Sequence, residues 1–132
     1  MPVYTRDQAP RQVLDLTAAL VPRLLEGDDS RLVILRQQFA VATVQSVESD
    51  GLGFFVSLSV PDDAPQVQPP SFAGGSALIW LVGHEYPMGV VLFVRDGRLS
   101  QLDFYSEAGT PWTEDDVVDR VEDVFPVPVP HD

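Results

Sequence analysis

Two Asp-Gly dipeptides, Asp50-Gly51 and Asp96-Gly97, each stand at the centre of a stretch in which apolar and polar residues alternate. No other feature restricts the fold as much. A two-residue hairpin loop of type I′ needs positive φ at both central residues, and Asp-Gly supplies it with little strain. In "FAVATVQSVESDGLGFFVSLSV" that register pairs Val47 with Phe54, Thr43 with Leu58 and Val41 with Val60, all on one face. Glu48, Ser46, Ser57 and Ser59 fall on the other face, where Phe55 is the exception. Across the second turn Arg95 faces Arg98, Phe93 faces Ser100 and Val91 faces Leu102, so that Val91, Phe93, Leu102 and Phe104 line one face. The Arg-Asp-Gly-Arg knot also spells an anion grip, but the hairpin accounts for the same residues: Gly97 meets the turn geometry and Asp96 relieves the two facing arginines.

The remaining segments organise around these hairpins. Over residues 10–26, Val13, Leu16, Leu20 and Leu24, widened by Leu14, Val21 and Leu25, follow helical spacing, with Pro22 expected to kink or end the helix. "EGDDS" supplies a Gly stop and a capping Asp or Ser, which predicts a short second helix over 30–38 with Leu32, Ile34 and Leu35 toward the core. Residues 60–75, with Pro61, Pro65, Pro69 and Pro70 and then Gly74-Gly75, read as a long loop. "SALIWLVG" and "GVVLFV" are apolar on both faces, as in central strands. In "TEDDVVDRVEDVF", Val117, Val121 and Val124 are spaced as on a helix, and Thr113 with Asp116 approximates a capping box, although a strand there is a live alternative. The expected fold is therefore α+β: two N-terminal helices, a five-stranded antiparallel meander-like sheet and a short C-terminal helix. Residues 1–125 form one domain in this reading, and 126–132, "PVPVPHD", form an extended, disordered tail.

Composition removes several functions. A chain of 132 residues buries roughly two-thirds of its unfolded surface, enough for a real core. It has no cysteine, and all eight basic residues are arginine, so thiolate, disulfide, Schiff-base lysine and P-loop lysine chemistry are absent. A net charge of −12 opposes nucleic acid and anionic membranes; it could attract a basic protein partner, although solubility alone accounts for it more simply. No stretch is apolar enough to cross a bilayer, and the N-terminus lacks a secretory pattern, which points to the cytoplasm.

Catalytic spacing is lacking as well. The two histidines are His84, in the turn "VGHEYPM", and His131, in the tail, so neither belongs to a metal-ligand pattern. Ser76 and His84 would sit at opposite ends of one strand, about 25 Å apart, which removes a triad. "DGLGFF" is a turn with no following helix to present amides to a phosphate. No catalytic residue, metal site or cofactor is expected. The candidate partner contacts are Trp112, beside Pro111 in a loop, with Tyr105 and Asp103 on the face away from Phe104, the acidic Glu114, Asp115 and Asp116, and His84 with Tyr86 in the turn. Trp80, within an apolar strand, is assigned to the core.

"GLGFFVSLSVP", then "MGVVLFVRDGRLSQLDFYS" and "PW", resemble a group of small uncharacterised bacterial α+β proteins. That group has a G-x-G-F-F strand ending in Val-Pro, an L-F-V-x-D-G-x-L-x-x-L-E hairpin and a Pro-Trp segment. The likeness spans about residues 31–112. Asp103 stands where a glutamate is usual, Val90 where an aromatic is usual, and "HEYPM" where small glycine-rich turns are common. The group is loosely similar to immunity or accessory proteins of toxin systems, which implies a non-enzymatic module that holds a basic partner. Two alternatives stay open. One is a small-ligand binder or hydrolase with a pocket under residues 60–75 and Glu48 or Asp103 at its mouth; the other is a homodimer formed through a sheet edge.

Overall fold

The computed structural model describes residues 3–4, 9–106, 108–113 and 115–128. Along the chain run β1 (Val3–Tyr4), α1 (Arg11–Leu24), α2 (Ser30–Val41), β2 (Thr43–Ser49), β3 (Phe54–Ser59), β4 (Phe72–Leu81), β5 (Met88–Arg95), β6 (Arg98–Ser106) and β7 (Val118–Phe125). The fold is α+β, with two helices and a six-stranded antiparallel sheet, β2 to β7, extended at one edge by the two-residue β1. The strand order is β1-β2-β3-β6-β5-β4-β7. This is not a plain meander: β4, β5 and β6 double back so that β6 lies beside β3, the connectivity of a Greek key.

Each helix forms where its apolar stripe can reach the sheet. Val13, Leu16, Leu20, Val21 and Leu24 of α1 are buried. Pro22 does not end the helix at once: it continues two residues further, to Leu24, with Pro22 exposed in the last turn and the Ala18 carbonyl deprived of its usual helix donor. Asp29 caps α2 by accepting the Arg31 N–H at 2.9 Å. That helix runs three residues past the expected end at 38, so Val41 is its last residue and lies 54% exposed instead of in a strand.

Both hairpins exist, but bulges move their registers. Asp96 (φ 54) and Gly97 (φ 77) form the type I′ turn and Arg95 faces Arg98. A register break between Phe93 and Val94 then pairs Phe93 with Gln101 and Leu92 with Leu102. The inward face of β5 is consequently Met88, Val90, Leu92 and Val94, which corrects the expected Val91 and Phe93. A one-residue slip turns every later side chain over. In the first hairpin the turn is four residues long, with the Asp50 carboxylate accepting the Leu52 and Gly53 N–H groups at 2.8 and 2.7 Å. Val47 therefore pairs with Val56, not Phe54, although both stay buried because a two-residue slip preserves the face. Gly53 is required by close approach: a Cβ there would collide with the Phe104 carbonyl.

The C-terminal segment is a strand, which corrects the expected helix. Two register breaks against β4 let Val118, Val121 and Val124 all reach the core, so the three-residue spacing comes from bulges and not from helical turns. Asp123 has φ 51 between the residues that pair with Leu78 and Ser76. Val117, expected on the inner stripe, is 62% exposed. Beyond β7, Val127 is 4% exposed and donates its N–H to the Leu24 carbonyl at 2.7 Å, so this part of the expected tail is packed. Residues 129–132 lie outside the described residues.

Residues 60–71 form a strap that is pinned, not free. Val67 is buried and donates to the Gly97 carbonyl at 3.0 Å, and the Gly97 N–H returns to the Pro70 carbonyl at 2.6 Å. Gln38 of α2, fully buried, donates to the Pro65 and Gly97 carbonyls at 2.7 and 2.9 Å and accepts the Leu99 N–H at 2.9 Å. One amide thus joins helix, strap and hairpin. Val67 and this amide fill the space between the strap and the hairpin, while a shallow groove of about 530 Å³ opens on the other side, between Gln66 and Gln68 of the strap and Asp29, Ser30, Arg31 and Ile34 at the start of α2. Glu48 and Asp103 lie instead on the sheet face turned away from the helices.

Candidate partner-binding edge

The β4–β5 turn and the chain entering β7 meet at one end of the sheet. Val82 donates its N–H to the Val117 carbonyl at 2.9 Å, and His84 Nε2 lies 2.9 Å from Asp116 Oδ1. Asp116 Oδ2 accepts the Thr113 N–H at 2.8 Å, the capping contact expected from sequence, here closing a turn before a strand. Gln12 of α1 donates to the Thr113 carbonyl at 2.9 Å and ties this turn to the helix layer. Burial raises the Asp116 pKa, but the Thr113 N–H, His84 and the Thr113 hydroxyl outweigh it and hold the carboxyl below its ordinary value. Asp116 is therefore ionised at neutral pH.

Three of the largest exposed apolar side chains surround these contacts: Val82 (61%), Tyr86 (54%) and Val117 (62%). Glu85, Asp115 and Asp119 add negative charge along the same segments. The nearest cation in sequence, Arg120, is committed to Asp119 and Glu122 at 2.6 Å each and lies 4.8 Å from the Trp80 ring centroid. An Asp–His pair is also the orienting half of a nucleophilic site. Here the other imidazole nitrogen, Nδ1, is buried and has no hydroxyl partner among the described residues. Among the described residues no group of three His, Asp or Glu could hold a metal ion.

The expected contact residues separate into three places. His84, Tyr86, Asp115 and Asp116 come together on this edge; Glu114 lies outside the described residues. Asp103 and Tyr105 lie on the outer sheet face, Asp103 between Phe55 and Val91 in register and Tyr105 across Gly89. Burial pushes the Asp103 pKa up against the opposing pull of the Gln101 amide and Arg95. Glu48 and Asp103 both pair with Phe55, about 10 Å apart across two strand spacings, too far to share a proton.

Trp112 corrects its assignment. It is 1% exposed and packs edge-on against Phe54 and Phe104, with centroids 5.5 and 5.4 Å away. Trp80 is the half-buried tryptophan, under Arg120 on the outer face. The apolar strand context of Trp80 and the Pro-rich context of Trp112 pointed the other way. Burial followed strand parity and the hollow between two phenylalanines, neither of which is a local signal. Val82 and Val117 were also missed, since nothing in the sequence places those two valines side by side.

No helix among the described residues is long and apolar enough to cross a membrane. The chain matches no family model, no curated protein and no solved structure.

Proposed function

We propose that this protein is a non-enzymatic binding module that holds a basic protein partner on the edge formed by residues 82–86 and 113–119. The immunity-like or accessory role implied by the resemblance belongs to the same proposal, as does a cytoplasmic setting. The observation that carries it is the join of exposed Val82, Tyr86 and Val117 to Glu85, Asp115 and Asp116 in a chain of net charge −12. Apolar side chains beside net negative charge give contact area and steering together. Self-association through β7 fits less well, because this edge strand has two register breaks and carries Asp119, Arg120, Glu122 and Asp123, features that oppose edge-to-edge pairing.

Affinity capture from native lysate, comparing the wild type with an E85R/D115R/D119R variant, tests the proposal. A basic protein retained by the wild type and lost by the variant, with capture weakening as salt rises, is the expected result. Identical captured sets from both forms would overturn it.

A further inference from the structure

A groove of about 330 Å³ runs between α1 and the chain entering β7. Leu16 and Ala19 from α1 and Val117 and Val118 opposite make it largely apolar, while Asp15 and Asp116 line it from the two sides. Among the described residues no arginine lines it, and the chain has no lysine. Its volume is at the lower end of the roughly 300–1,000 Å³ that holds a bound group. We infer that this groove receives one arginine side chain of the basic partner, the aliphatic stem on Leu16 and Val118 and the guanidinium toward Asp15 and Asp116.

The chemistry selects that occupant. A purely apolar side chain would take water from Asp15 and Asp116 and add no partner to those they already have, and a small hydrated cation would leave the apolar walls wet. A long cationic side chain satisfies both surfaces at once, and guanidinium gives up its hydration more readily than ammonium. Asp116 stays ionised because the Thr113 N–H and His84 support its charge. Asp15 is already held by Arg11 at 3.2 Å in a highly exposed pair, a weak contact that an incoming guanidinium can replace.

The inference rests on the proposed basic-partner reading, and the test separates the two. The probe is an arginine-rich nonapeptide with a fluorescent label, compared with the same peptide carrying citrulline, an uncharged isostere, for arginine. Ala19 is exposed on α1, so Ala19→Phe plugs the groove without altering charge; Asp15→Asn removes one carboxylate. Glu26→Gln, past the far end of α1, is the charge-loss control, and spectral dispersion checks that each variant folds. The expected result is binding by wild type and Glu26→Gln, with about tenfold weakening by Ala19→Phe, by Asp15→Asn and by citrulline, the scale at which anchoring side chains are recognised. Equal binding by wild type and Ala19→Phe would overturn the groove while leaving the basic-partner reading in place. Failure of the wild type to bind the arginine peptide would overturn both.

Discussion

Gln38 accepts the Leu99 backbone N–H at 2.9 Å, a contact between helix α2 and the start of β6 made by a side chain with no exposed surface. The same amide donates to the Pro65 and Gly97 carbonyls. Replacing it by leucine strands buried backbone groups on the strap and on the hairpin, each worth about 1–3 kcal/mol. Gln38→Leu should therefore lower unfolding stability by about 2–4 kcal/mol in denaturant titration. A neutral result would mean that the strap is not held through this residue.

Trp112 makes a separate prediction. Its ring fills the space between Phe54 and Phe104, and truncation leaves a large cavity. Trp112→Ala should cost about 3–5 kcal/mol by thermal or chemical unfolding. Trp80→Ala should cost less, since that ring is half-buried under Arg120.

The nature of β7 can be read by a pair of substitutions. In the bulged strand Val121 packs on the core and Val117 does not, so Val121→Asp should destabilise by about 2 kcal/mol or more and Val117→Asp by about 0.5 kcal/mol or less. A helix presenting Val117, Val121 and Val124 on one stripe would make the two costs alike.

Asp116 and Asp103 should give opposite pH signatures. The folded pKa of Asp116 is depressed, so its stabilising contribution is present above the ordinary aspartate value and is lost as pH falls through the lower folded value. The stability gap between wild type and Asp116→Ala, about 1–2 kcal/mol at neutral pH, should narrow below about pH 4.

For Asp103 the folded pKa is raised, so the cost of its charge develops as pH climbs from the ordinary value through the folded one. Asp103→Asn keeps an oxygen for the Gln101 amide and should be slightly more stable than wild type at neutral pH, by an amount that solvent screening of this half-exposed group keeps small, with the advantage vanishing in acid. Urea titrations at neutral and acid pH measure both.

Much of the local structure was legible because its causes are local. Asp96-Gly97 specified a type I′ turn, the apolar stripe of α1 specified a helix, and Asp29 served as its successor's cap. What misled was periodicity taken at face value. In β5, one bulge opposite the Phe93–Val94 step exchanged the inner and outer faces. In β7, two bulges converted a period of two into a spacing of three that imitates a helix. The candidate edge was half legible: its charges and His84 were visible, whereas Val82 and Val117 become neighbours only after β7 pairs with β4.

By itself the sequence determined the α+β class, the two hairpin sites and the two helices, since turn chemistry and amphipathic stripes act over a few residues. Only the tertiary structure decided which tryptophan is buried, that the last element is a strand and that the 60–71 strap is pinned to helix and hairpin through Gln38. Those outcomes depend on the free hydrogen-bonding edge of β4, the hollow between Phe54 and Phe104, and the unpaired carbonyls around Gln38. Each is created by residues far apart in the chain and exists only once the sheet has formed.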